Sequence, residues 1–108
     1  MYRKENGDIP VAKFINSLDN KMQAKIFREI LILEEAGNTL REPYSKYVRD
    51  GIFELRIKVS SNITRILYFF YIDKRIILTN GFVKKTDKTP DNEIVKALSY
   101  KTDFIERI

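Results

Sequence analysis

A chain of 108 residues that is 44% hydrophobic and 32% charged can bury one compact core, and it reads as a single domain over residues 1–108. Its net charge of +5 favours an acidic partner such as RNA, DNA or an acidic protein. It contains no cysteine and no histidine, which excludes disulfides and thiolate chemistry and removes the commonest general base and metal ligand.

In chain order, Val11, Phe14, Ile15 and Leu18 recur at i, i+3, i+4 and i+7 and predict a first helix, with Pro10 in its opening turn. Asp19 or Asn20 offers a cap for a second helix over residues 20–36, whose Met22, Ile26, Phe27, Ile30, Leu31 and Leu33 predict a broad buried face. Gly37-Asn38 supplies a left-handed stop. The short connection between these helices predicts an antiparallel hairpin. Residues 38–52 read as a basic, aromatic loop that holds Arg41, Tyr44, Lys46, Tyr47 and Arg49.

Asp50-Gly51 then opens a strand in which Phe53, Leu55, Ile57 and Val59 alternate with Glu54, Arg56 and Lys58. Beyond Ser60-Ser61-Asn62, residues 63–72 form a second strand, apolar on both faces and therefore central. Asp73-Lys74 turns the chain into a third strand over residues 75–83, and turns this short predict an antiparallel meander. Thr89-Pro90 reads as the N-cap and first position of a closing helix over residues 90–104, with Ile94, Ala97, Leu98 and Ile105 on its buried face. The expected fold class is α+β: a small twisted antiparallel sheet of three main strands, packed against an N-terminal helical hairpin and a C-terminal helix. Residues 1–5 are expected to add a short edge strand. The helices should cover one face of the sheet and leave the other partly open. No apolar run approaches the roughly 20 residues that span a bilayer, and MYRKENGD lacks a signal-peptide core, so the expected location is cytoplasmic.

Basic residues stand where a plain sheet has no need of them. Lys84, Lys85 and Lys88 lie between the last strand and the last helix, as a phosphate site or as a solvated turn. Arg65 shares strand parity with Leu67 and Phe69 and needs either a carboxylate partner such as Glu54 or a ligand. Hairpin register brings Arg56 beside Arg65, with Lys84 and Lys85 alongside. Four cations around one concave surface can bind a phosphodiester and stabilise charge developing on it. Tyr47 reads either as a base-stacking residue or as a half-buried loop anchor.

The strands FELRIKV and TRILYFFY, and above all LTNGFVKKTDKTPDNEIVKA, resemble toxins of the RelE superfamily, in its HigB or phage-derived RelE-like branch. The resemblance runs through LREPYSKYVRDGIFELR and LDNKMQAKIFREI and so covers nearly the whole chain. It implies a small twisted antiparallel sheet backed by helices, and the toxin of a type II toxin–antitoxin system that cleaves mRNA on the translating ribosome. The implied chemistry uses no metal and no cofactor: the RNA 2′-hydroxyl attacks the adjacent phosphorus, leaving a cyclic phosphate and a free 5′-hydroxyl. Arg56 in FELR and Arg65 in TRILY match the family's catalytic arginines, and Lys84 and Lys85 match its basic residues after the last strand. Tyr47, which falls where relatives carry histidine or tyrosine, is assigned with Lys46, Lys58 and Lys88 to holding RNA. The implied partners are the ribosome, mRNA and a cognate antitoxin with an acidic surface, in this branch often of helix-turn-helix type. Relatives open with a full N-terminal strand where this chain keeps a stub, so that sheet edge is expected to be weak. Arg65 is expected to be the position most sensitive to substitution.

Two other functions fit the same elements. The related ParE toxins share the fold and inhibit DNA gyrase without catalysis, and a plain RNA-binding module would use the basic face only to hold a backbone. The convergent arginines and lysines favour cleavage.

Overall fold

The computed structural model describes all 108 residues, Met1–Ile108. Helices α1 (Pro10–Asn16) and α2 (Asn20–Ala36) precede a sheet of four strands, β1 (Ser45–Arg49), β2 (Ile52–Val59), β3 (Asn62–Tyr71) and β4 (Arg75–Val83), and helix α3 (Asp91–Arg107) closes the chain. The strands are antiparallel and lie side by side in chain order, so the α+β meander is as expected and β2 and β3 are central.

The local chemistry explains these boundaries. Pro10 occupies the first turn of α1, where its missing N–H is no loss. The Asp19 carboxylate caps α2 by accepting the Met22 N–H at 2.8 Å. Gly37, at φ 57°, ends that helix and leads into a 3-10 turn at Gly37–Thr39. Asp73 and Lys74, both with φ above 60°, make the tight turn between β3 and β4.

The fourth strand has a different origin from the one expected. Residues 1–5 contribute no strand; the Tyr2 N–H donates to Leu78 O at 2.8 Å and the Tyr2 ring is buried in the core under α3. The additional edge strand is β1, inside the segment read as loop. Asp50 and Gly51, both with positive φ, are the turn of a β1–β2 hairpin and do not open β2. In β1 only Val48 is aliphatic, and its pairing shifts register between Tyr47 and Arg49. It therefore lacks the period-two apolar signal that identifies a strand.

Helices lie on both faces of the sheet, where they were expected on one, and the second face is covered only in part. Ile66 and Tyr68 of β3, with Leu55 and Ile57 of β2, pack under α1 and α2 against Val11, Ile15, Met22, Ile26 and Leu33. The alternate residues Leu67 and Phe69 pack with Ile52, Ile77 and Ala97 under α3. Each such fully buried aliphatic stabilises the fold by roughly 1.5–3 kcal/mol. The broad face expected for α2 is narrower in fact: Phe27 and Leu31 are 48% and 63% exposed. On α3 it is Phe104, packed on Phe69 and Tyr71, that fills the last core position, while Ile105 lies outside it.

α1 sits directly on β4 at Gly81. A Cβ there would lie 2.5 Å from Cδ2 of Phe14 and 2.7 Å from Cδ1 of Ile66. Gly81→Ala is therefore expected to destabilise the fold by about 1–3 kcal/mol through overpacking. Urea unfolding measures it, and a midpoint equal to that of the parent protein would show that α1 can simply shift.

Candidate nucleic-acid interface

α3 covers only part of its face of the sheet. Beyond its N-terminus the polar positions of β2 and β3 remain. Register sets Glu54 opposite Leu67, Arg56 opposite Arg65 and Lys58 opposite Ile63. Like charges facing each other across two strands repel, and Glu54 holds this pair together. Its Oε1 lies 3.1 Å from Nε of Arg56 and 3.6 Å from Nε of Arg65, and its Oε2 accepts the Thr89 hydroxyl at 2.6 Å. Glu54 is almost wholly buried, and the Arg65 side chain is 9% exposed against 25% for Arg56. Burial lowers the pKa of Arg65, Glu54 opposes that shift and Arg56 adds to it. An arginine remains charged even so. The carboxylate partner that sequence offered for Arg65 is therefore present, and Arg56 is the arginine within reach of a ligand.

Thr89 does not cap α3. Pro90 stands at that position and its carbonyl accepts the N–H groups of Glu93 and Ile94. The threonine hydroxyl goes to Glu54, because an ionised acceptor makes the stronger hydrogen bond.

A cleft of about 380 Å³ opens between the β1–β2 hairpin and the start of α3, within the size range of ligand clefts. Lys46, Arg49, Arg56 and Lys88 supply its cations, and Glu54, Asp87 and Asp91 its carboxylates. Tyr47 also lines it. The Tyr47 ring stands edge-on to Phe53 at 5.1 Å and its hydroxyl accepts the Gly51 N–H at 3.1 Å, while more than half of the residue stays exposed. The hydroxyl and the contact with Phe53 anchor the residue, and the rest of the ring stays exposed. A second cleft, about 340 Å³, borders Arg56, Lys58 and Arg65 together with Lys25, Glu29 and Tyr44. Arg56 lines both.

The expected site residues are thus distributed unevenly. Lys46, Tyr47, Arg56 and Lys88 meet in the first cleft, and Arg56, Lys58 and Arg65 in the second. Lys84 and Lys85 line neither. The Lys84 N–H extends the β3–β4 ladder to Ile63 O at 2.8 Å and its ammonium lies 3.8 Å from Asp87; Lys85 is exposed. Sequence reading missed Lys25, Glu29, Tyr44, Arg49, Asp87, Thr89 and Asp91 as lining groups. Glu29 left a signal, as an acid on the stripe Met22, Ile26, Glu29, Leu33, and Tyr44 and Arg49 left another, as members of the basic, aromatic loop.

Residues 13–101 match the family described as Phage derived protein Gp49-like (DUF891). The chain belongs to this family. The Gp49-like family is a RelE-like toxin family of toxin–antitoxin systems. The matched region contains every residue that lines the two clefts. No curated protein matches the chain. None of the helices is long and apolar enough to cross a membrane.

Proposed function

We propose that this Gp49-like protein is the toxin of a type II toxin–antitoxin system and an endoribonuclease that cuts mRNA on the ribosome, as members of the HigB-like branch do. The observation that carries the reading is the Arg56–Glu54–Arg65 arrangement beside a cationic cleft. Glu54 holds the Arg56 guanidinium before any ligand arrives, so little reorganisation is needed when charge develops on a phosphate. The RNA 2′-hydroxyl loses its proton to water as its oxygen attacks phosphorus, the bond to the 5′-oxygen breaks and that oxygen takes up a proton from water, and Arg56 bears on the equatorial oxygens as their charge increases. Arg65 fixes Glu54 from behind. Lys46 and Lys88 hold the flanking backbone, and Tyr47 offers a face to a base. Lys84 and Lys85, one row further along the sheet, serve the approach of the strand. The protein partner is a cognate antitoxin with an acidic surface, which complements the net charge of +5.

A second reading, in which the basic surface binds RNA without cutting it, draws on the same ion pairs, because Glu54 already gives both arginines a structural occupation. End analysis separates the two. After induced expression, RNA fragments should carry 2′,3′-cyclic phosphate and 5′-hydroxyl ends, and cleavage by purified protein on ribosomes should persist once chelator is balanced against ribosomal magnesium. Intact RNA with growth arrest would overturn cleavage, and gyrase-linked broken DNA in its place would identify a ParE-like inhibitor.

A further inference from the structure

Glu29 occupies a core position of α2, on the stripe with Ile26 and Leu33, and is 5% exposed. Its Oε1 pairs with Nζ of Lys25 at 3.2 Å, one helical turn earlier. Its Oε2 is buried and has no hydrogen-bond partner. The Lys25 pair explains one oxygen only, and a desolvated acceptor without a donor works against folding. Leucine or methionine would fill the stripe without that cost. The unpartnered oxygen belongs to a residue that lines the second cleft, with Arg56, Lys58, Arg65 and Tyr44.

We propose that the second cleft is a nucleotide subsite beside the scissile phosphate, and that Glu29 reads the base placed there. The proposal rests on the RNA-cleaving reading and adds a determinant of sequence preference to it. Arg56 lines both clefts, so a strand whose phosphate sits on Arg56 passes from one to the other. Lys58 is exposed at the rim, and Tyr44, 55% exposed, presents a ring for stacking. An ionised carboxylate only accepts hydrogen bonds. It therefore selects a base edge that donates. Guanine presents N1–H and N2–H side by side, adenine and cytosine only an amino group, and uracil a single N3–H. Guanine is the base that matches Glu29: one donor goes to Oε2, which a rotation of the side chain brings to the cleft, and the other shares Oε1 with Lys25.

Cleavage sites mapped on ribosome-bound mRNA should show guanine enriched at one fixed position next to the cut. Glu29→Gln, which keeps the shape and loses the charge, should lower the guanine-over-adenine ratio at that position by about tenfold or more, the scale of one good base contact. The ratio is the readout whatever the total rate. A ratio unchanged in Glu29→Gln, or a parent protein without guanine preference at any position, overturns the proposal. A titration of the purified protein with 2′-O-methyl GpG and ApA, followed by NMR at Tyr44 and Lys58, tests the subsite without cleavage. Preferential binding of GpG in a protein that makes no cuts would overturn the nuclease reading and leave the subsite standing. Equal binding of both dinucleotides, or of neither, would overturn the subsite.

Discussion

Arg56→Ala is expected to abolish growth arrest and to lower single-turnover cleavage on ribosomes by about 10²–10³-fold, the effect of removing one preorganised charge donor from a transition state. The argument is one of access. Arg56 lines both clefts and its side chain is a quarter exposed, whereas Arg65 is packed behind it at 9%. Folding should survive, because Glu54 keeps Arg65 at 3.6 Å and the Thr89 hydroxyl at 2.6 Å when Arg56 is gone. Thermal unfolding of the variant should stay cooperative, with a midpoint close to that of the parent. Arg65→Ala is the comparison: its loss of toxicity should come with a loss of stability, since its charge is buried and paired. A stable, fully toxic Arg56→Ala protein would remove Arg56 from the chemistry.

Glu54→Gln should have the largest effect on stability, about 2–4 kcal/mol, which for a domain of this size lowers the melting midpoint by roughly 10–25 °C. Removing the carboxylate leaves Arg56 and Arg65 directly opposite each other across β2 and β3 with nothing between them to compensate. The partial exposure of Arg56 keeps the estimate below that for a fully buried triad. The double variant Glu54→Gln/Arg65→Met should recover much of the loss, because it removes the buried charge together with its partner. Urea unfolding of Glu54→Gln, Arg65→Met and the double variant supplies the cycle. A Glu54→Gln protein within about 0.5 kcal/mol of the parent would show that solvent screens the arginines.

Much of this arrangement is legible in the residues. Alternation in β2 assigns Glu54, Arg56 and Lys58 to one face, and the Ser60-Ser61 turn fixes the register that sets Arg56 against Arg65. The need of Arg65 for a carboxylate follows from burial alone, and Glu54 supplies it. β1 escapes notice because an edge strand with a register shift buries few side chains and carries little period-two signal. Asp50-Gly51 is nonetheless a strong hairpin signal, and reading it as such would have placed the strand.

Sequence by itself determined the order of helices and strands, the antiparallel meander and the pairing of the two arginines, because these depend on hydrophobic period, caps and tight turns, all local to the chain. Tertiary structure alone decided which cations face a common space. Thr89 leaves the helix cap for Glu54, thirty-five residues away in the chain, and so draws the α3 entry over the sheet to close one wall of the first cleft. Glu29, on the opposite helical layer, reaches the second cleft together with Arg56 and Arg65. Lys84 and Lys85, adjacent in sequence, part at the end of β4: one continues the ladder and the other goes to solvent. Such convergence depends on how α2 and α3 pack across two faces of one sheet, and contacts between distant segments have no period along the chain from which to read them.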